Sequence, residues 1–424
     1  MTAIGSRNPM RSGPNVVVAS FTSNLSDGVQ LAVVPLLALT ISDSPLGIGA
    51  IAIARVVSSV ALTAPLGVIA DRYDRFLTSS FANAFRAMVM IAVVAMMGTG
   101  LGSIGLLMAA AALLGVGETL FETASSAVIP EVVLPDRLQR YNSYISFGQT
   151  FANGVIGPVL GAVLFGVDHQ LSLLVTTALL AMSGGLLSAG IPRGAARCRP
   201  DSALPVRDTA APRLLSDVAA GIRAVRARRA IVALLVLTAG WNFFGWMPEG
   251  PLVIFVTREL GGTEAAFAFL LVTTALGSLV GSALGGFVGR RTRTAVLWGA
   301  TPLYGLGFIG VYFLHDPWAI GAVFFVQGLP LMMWAITATT LRQRLVDNDV
   351  LGRVNSIFYG TAIALGPLGM GAGSLLAAVS SARTTFIVSG FALLLVGLAV
   401  AVATSGRRGR RVALELDHAL GPVS

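Results

Sequence analysis

Glu118 and Glu122 lie four residues apart in the apolar stretch IGLLMAAAALLGVGETLFETASSAVI. On a helix that spacing puts both carboxylates on one face, one turn apart. Two carboxyl groups this close and away from water resist ionising together, so one is set to hold a proton near neutrality. Such a group can carry a proton one way across a barrier while another solute moves the other way. Glu118 is the candidate for that coupling. Glu122, nearer the end of the stretch, also suits a solvated position or a salt bridge to Arg137 or Arg140. Other apolar stretches hold Asp27, Arg55 and Glu249, with Asn24, Gln30, Gln149, Asn153, Asn242 and Gln327 as neutral polar companions. Asp27 and Arg55 can meet as a buried pair, or stay apart and face a ligand. Glu249 sits between Pro248 and Pro251 and follows Trp241, Phe243, Phe244 and Trp246. Aromatics beside an acidic group suit a lipophilic cation, and equally an aromatic belt at a membrane surface. This inventory sets four carboxylates against one arginine, so the expected interior is acidic and favours protons and cationic or neutral amphiphiles over anions.

The elements that must position these groups are long and apolar. The chain has 424 residues, 55% hydrophobic and 12% charged, with a mean hydropathy of +0.80. A soluble domain carries about 25% charged residues. About 20 apolar residues at 1.5 Å rise cross a bilayer core. Twelve runs meet that length, near 14–41, 46–70, 76–98, 104–129, 138–167, 171–191, 229–257, 263–288, 294–314, 318–341, 351–379 and 384–404. The expectation is an all-α integral membrane protein. The net charge is +9, and all 29 basic residues are arginine. They fall between runs and not on one soluble face, which argues against a nucleic-acid partner. With the N-terminus in the cytoplasm, nearly all the loop arginines lie inside and only Arg258 and Arg383 outside, as the positive-inside rule requires. Both termini are then cytoplasmic, and the N-terminal run is not read as a cleaved signal peptide.

The segment 192–228 separates 1–191 from 229–406, and 407–424 forms a tail. Its first part is rich in Pro, Arg and Ala, which reads as a linker. Its second part, RLLSDVAAGIRAVRARR, has helical apolar spacing and suits a helix at the membrane interface or a short solvated helix leading into the seventh run. The two halves repeat. PLGVIADRYDR (65–75) aligns with ALGGFVGRRTR (283–293), RYNS (140–143) with RVNS (353–356), and GPVLG (157–161) with GPLGMG (366–371). Two pseudo-symmetric six-helix bundles related by an internal repeat are the pattern of secondary transporters, whose substrate sites lie at the repeat interface.

Together, GVIADRYDR, ETASSAVIPEVVLPDRLQRYNSYIS, GPVLGAVL and DVAAGIRAVRARRAIVALLVL resemble the major facilitator superfamily, and within it the bacterial efflux branch that includes siderophore, macrolide and multidrug exporters. The resemblance covers nearly the whole chain. It implies a cytoplasmic gate after the second span, with Gly67, Asp71, Arg72 and Arg75 on the family pattern. There the aspartate faces a helix N-terminus, whose partial positive charge and unpaired N–H groups favour a carboxylate. Asp74 replaces the family's glycine and Phe76 its second basic residue, so Asp74 adds a second carboxylate. In the repeat, Gly289 stands where Asp71 does. Gly157 and Pro158 match the fifth-span pattern associated with exporters, and tight helix packing is the other role open to them. The arginine that many drug–proton antiporters carry in the fourth span is absent, and Glu118 and Glu122 stand there.

An enzyme is not expected. His169, His315 and His418 are far apart and Cys198 is the single cysteine, so neither a metal site nor a disulfide is read, and no cofactor is. A nucleotide-binding Gly-Lys-Ser/Thr loop is missing. A receptor or scaffold would predict loss of the gate motif or a large soluble domain. The expectation is therefore a monomeric, proton-coupled exporter of small amphipathic compounds in the inner (plasma) membrane. Its candidate contact residues are Asp27, Arg55, Glu118, Glu122, Glu249, Trp241 and Asn242. A lipid or lysophospholipid translocator and a proton-coupled importer are the alternatives of the same fold.

Overall fold

In lipid every backbone N–H and C=O must find its partner inside the protein, and a helix achieves this within each segment. The computed structural model describes residues 9–133, 138–189, 221–285 and 290–405, and the apolar runs within them are helices. The first unit holds α1 (Pro9–Ile41), α2 (Pro45–Arg72), α3 (Arg75–Gly98), α4 (Ile104–Val132), α5 (Leu138–Phe151), α6 (Gly157–Val167) and α7 (His169–Ser188). The remaining helices are α8 (Arg229–Trp246), α9 (Leu252–Ile254), α10 (Glu264–Gly285), α11 (Arg290–Phe313), α12 (Pro317–Leu345), α13 (Asn348–Val379) and α14 (Ala382–Ser405). Residues 221–227 are also helical. Among the described residues twelve helical stretches are long and apolar enough to cross a membrane. The protein is an all-α integral membrane protein with twelve transmembrane helices in two six-helix bundles. By contacts the chain divides into one compact unit of Met1–Leu204 with Thr263–Val272 and another of Pro205–Gly262 with Thr273–Ser424.

Short polar side chains end one span and start the next. Ser44, Asp74, Ser103, Asp168 and Asp316 each cap the helix that follows by accepting from its first-turn N–H groups, which otherwise lack partners. Asp74, read from the sequence as a second carboxylate beside the gate, also caps α3: its side chain accepts from Leu77 N at 3.0 Å.

Proline breaks the regular ladder in two spans. The fifth span runs from α5 into α6 through a π-helical turn, Ala152–Ile156, in which Gly157 N donates to the carbonyl of Ala152. That wider turn comes just before Pro158, which has no N–H to give and would crowd a regular helix. The seventh span is interrupted between α8 and α9 by a turn over residues 247–251 that contains Pro248 and Pro251. It resumes through α9 and a second π-helical turn, Phe255–Glu259.

Packing in both units relies on small residues that let backbones touch, since lipid gives helices no hydrophobic drive to associate. A Cβ on Gly28 would lie 2.7 Å from the carbonyl oxygens of Ala152 and Asn153, and one on Gly157 would lie 2.6 Å from Gly28 C. Thus α1 and the bulged fifth span meet through paired glycines. In the other unit Gly305 of α11 and Gly390 of α14 face each other's carbonyls in the same way. The outer faces are apolar: on α3, Phe81, Met88 and Ile91 are 60%, 59% and 55% exposed. Ser79, Asn83 and Arg86 on its opposite side are fully buried.

Gly28→Ala should lower the thermal midpoint of the detergent-solubilised protein, because overpacking against backbone costs about 1–3 kcal/mol. Gly166→Ala, where an added Cβ meets nothing within 4 Å, is the control and should leave the midpoint unchanged.

Candidate functional site

The largest fully buried side chain among the described residues is Arg86, in α3. It lies at helical spacing from Ser79 and Asn83 on the inward side of that helix, and the sequence inventory of membrane charges omits it. A guanidinium taken out of water must find compensation in charge and hydrogen bonds. Arg86 finds it in α1, where its Nη2 donates to Asp27 Oδ1 in an ion pair. Its Nη1 donates to Ser23 Oγ and to Asn83 Oδ1, both at 3.1 Å. Asn83 Nδ2 in turn donates to Ser183 Oγ at 2.8 Å, and Ser183 Oγ to the carbonyl of Ala19 at 2.7 Å. A polar seam thus runs through α1, α3 and α7.

A second arginine joins the same cluster from α2. Arg55 donates through Nε and Nη2 to Glu118 Oε2, at 3.1 and 2.9 Å. Its Nη2 is also 3.5 Å from Asp27 Oδ1. Four charges from four helices therefore form one chain, Arg86–Asp27–Arg55–Glu118, in which both inner members face two partners. Asp27 and Arg55 do meet, but each has a nearer partner. The expectation of a single membrane arginine is corrected accordingly: Arg86 is a second, and within the first unit Arg55 and Arg86 pair with Asp27 and Glu118. The fourth span needs no arginine of its own, because α2 and α3 bring theirs to it.

The stretch Gly115-Val116-Gly117-Glu118 makes the approach possible. A Cβ on Gly117 would lie 2.5 Å from Arg86 Cγ, and one on Gly115 would strike the carbonyl oxygen of Arg55 and lie 2.7 Å from Ser59 Oγ. Ser58 Oγ adds a bond between spans, donating to the carbonyl of Ala112 at 2.8 Å. Gly117, immediately before the glutamate, seats the arginine stem, and Gly115, three residues ahead of the glutamate, seats the α2 backbone.

Glu122, one turn further along α4, has a different setting. It lines a pocket of about 340 Å³ between α1, α4 and α5. Ser20, Asn24, Ser125, Ser146 and Gln149 supply its neutral polar wall, and Val16, Phe121, Ile129 and Ile145 its apolar wall. Glu118 and Glu122 thus share a helix face but have separate surroundings. The side chains of Arg137 and Arg140, expected as partners for Glu122, lie outside the described residues.

In the other unit the predicted residues are spread more widely. Trp241 is buried, donates from Nε1 to Thr301 Oγ1 at 2.8 Å, stacks on Trp334 with centroids 5.4 Å apart and leans on Tyr304 at 4.5 Å. It is a core residue of that unit and no part of a surface belt. Trp246, by contrast, is exposed. Asn242 is half-buried and donates to the carbonyl of Thr238 within its own helix, at 2.8 Å. Glu249 lies in the turn between α8 and α9, half-buried. Gly250 beside it packs against Met370 and Ser374 of α13.

Of the residues expected at the gate, Arg75 Nη1 donates to the carbonyl of Ala127 at 2.7 Å, tying the start of α3 to α4. Arg72, in the last turn of α2, is exposed, and around Gly67 an added Cβ would meet nothing within 4 Å. Asp71 is in the same last turn, but its side chain and Gly289 lie outside the described residues. Gly157 and Pro158 are buried in the packed contact with α1. The linker over 192–220 and the tail beyond 405 also lie outside the described residues.

Arg86→Met should destabilise the folded protein by about 3–5 kcal/mol, the cost of leaving one member of a buried ion pair behind. Combining it with Asp27→Asn should recover most of that loss. Thermal unfolding of the single and double variants in detergent measures both, and an additive result would mean that the two side chains do not act as a pair.

Comparison with known proteins agrees with this architecture. The chain is 25% identical over 410 residues to an uncharacterized MFS-type transporter, YfiS, of Bacillus subtilis (strain 168), covering 94% of this chain and 95% of that protein. Its fold is similar to that of a bacterial homologue of the iron transporter ferroportin, with a TM-score of 0.74 at 16% identity, covering 94% of this chain and 99% of the other. A bacterial homologue of the human lysosomal transporter Spinster matches with a TM-score of 0.68 at 13% identity, covering 95% and 97%. The sequence profile of the Major Facilitator Superfamily matches residues 16–250. The chain belongs to the Major Facilitator Superfamily, and it is a multi-pass membrane transporter and not an enzyme.

Proposed function

We propose that this transporter exports small amphipathic compounds, drug-like or siderophore-like, in exchange for protons, by alternating access. On this reading it sits in the inner (plasma) membrane with both termini in the cytoplasm. Asp71, Arg72 and Arg75 then latch its cytoplasmic side around the small residue Gly67, while Gly157 and Pro158 shape the fifth span. The observation that carries the coupling is the shared position of Arg55, which donates to Glu118 at 2.9 Å and stands 3.5 Å from Asp27.

The chemistry follows from that geometry. With Glu118 ionised, Arg55 is held by two charge-assisted hydrogen bonds, about twice as strong as neutral ones. A proton on Glu118 removes that assistance and leaves Arg55 nearest to the remaining charge, Asp27. Asp27 is fixed by Arg86, so the movable group is Arg55 and with it α2. A fixed carboxylate, a movable guanidinium and a protonatable carboxyl make a two-state element that a proton can bias. Because α2 meets α4 through the glycine contact at Gly115, a shift of Arg55 is felt along both helices.

Proteoliposomes with an imposed proton gradient test this with a panel of cationic and neutral amphiphiles. Glu118→Gln should abolish gradient-driven transport and leave downhill exchange intact. Unchanged gradient dependence in that variant would remove Glu118 from the coupling.

A further inference from the structure

Arg86 and Arg55 are engaged by Asp27 and Glu118. Glu122, a third carboxylate in these spans, is exposed and pairs with no cation among the described residues. Among the described residues no group donates a hydrogen bond to its carboxylate or forms an ion pair with it; Ser125 Oγ donates only to its backbone carbonyl, at 3.4 Å. It is also the carboxylate that lines the pocket between α1, α4 and α5. At about 340 Å³ that pocket lies at the lower end of the range for small-molecule sites, ~300–1,000 Å³. Such sites combine an apolar wall with a few placed polar groups. Here Phe121 and Ile129 provide the first, and Asn24, Ser125 and Gln149 the second.

The donor set distinguishes between kinds of cation. A divalent metal seeks six or more oxygen ligands, several of them charged, or a soft set of His and Cys. Among the described residues no three His, Cys, Asp or Glu side chains are grouped to hold one. A single carboxylate with an aromatic ring and neutral amides suits a monovalent organic cation, whose charge meets the carboxylate while its apolar body lies on the ring and the aliphatic wall. Resting on the exporter reading above, we propose that Glu122 is the recognition carboxylate of a substrate site for amines and quaternary ammonium compounds in the α1–α4–α5 pocket.

The test uses the full-length protein in lipid nanodiscs and three permanent cations: benzyltrimethylammonium, ethidium and tetraphenylphosphonium. At least one should bind saturably to the wild type. Glu122→Gln should weaken it tenfold or more, Glu122→Asp should retain part of the affinity, and Ser146→Trp should lose it by filling the pocket while keeping the carboxylate. Equal affinity in wild type and Glu122→Gln overturns the proposal, as does the absence of saturable binding by all three cations. Micromolar Mn²⁺ that displaces the cation from wild type in a Glu122-dependent manner also overturns it, in favour of a metal site. Flux in proteoliposomes keeps the two readings apart. Glu122-dependent binding without gradient-driven flux leaves the site standing and removes the proton coupling. Gradient-driven flux of neutral amphiphiles without any cation binding removes the site and leaves the transporter reading intact.

Discussion

A guanidinium buried at membrane depth has to be neutralised where it stands, and in this protein that requirement falls on Arg86. Its ion pair with Asp27 and its bond to Ser23 both run from α3 to α1 and so tie the rotation of one helix to the other. Once Asp27 is held, Arg55 has one fixed carboxylate and one further carboxylate within reach. The four charges thus divide into a pair buried almost completely, Arg86–Asp27, and a partly exposed pair, Arg55–Glu118. A buried ion pair is weak evidence for stability, since desolvation offsets much of the attraction. Here its value lies in fixing geometry.

The packing supports that arrangement. Gly115 and Gly117 let α2 and the stem of Arg86 lie directly on α4, so the charged groups meet without spacer side chains. Gly28 and Gly157 bring α1 onto the π-bulged fifth span. On the same faces of α1, α4 and α5, a little further along the helices, the polar pocket with Glu122 opens. The ion-paired Glu118 and the pocket-lining Glu122 therefore sit on consecutive turns of a single helix.

The second bundle uses different means. Among its polar contacts are the Trp–Thr bond and a glutamine, Gln327, donating to the carbonyl of Tyr304 at 2.8 Å. Its centre is aromatic, with Trp241, Trp334, Tyr304 and Phe308 in mutual contact. Glu259 caps α14 across the chain, accepting from Ala382 N at 2.6 Å and Arg383 N at 3.0 Å. The internal repeat read from the sequence thus coexists with different side-chain chemistry in the two units: a four-charge chain in one, and an aromatic cluster with a Glu259–Arg383 pair in the other.

What could be read from the sequence alone was whatever depends on local rules. A span must close its own hydrogen bonds and match the thickness of the hydrocarbon, so length and apolarity were enough to locate all twelve. Ionisable residues inside such runs are rare and costly, so Asp27, Arg55, Glu118, Glu122 and Glu249 stood out by type. Arg86 escaped that inventory, although Ser79, Asn83 and Arg86 line one face of α3 opposite Phe81, Met88 and Ile91. That polar stripe in a membrane helix was the available signal. Partner choice could not be read, because it depends on which helix faces meet. A half-turn of rotation separates a pair 3 Å apart from one on opposite sides of a helix. Only the packed bundle decided that Asp27 belongs to Arg86, that Arg55 leans to Glu118, and that Glu122, one turn away, lines a pocket.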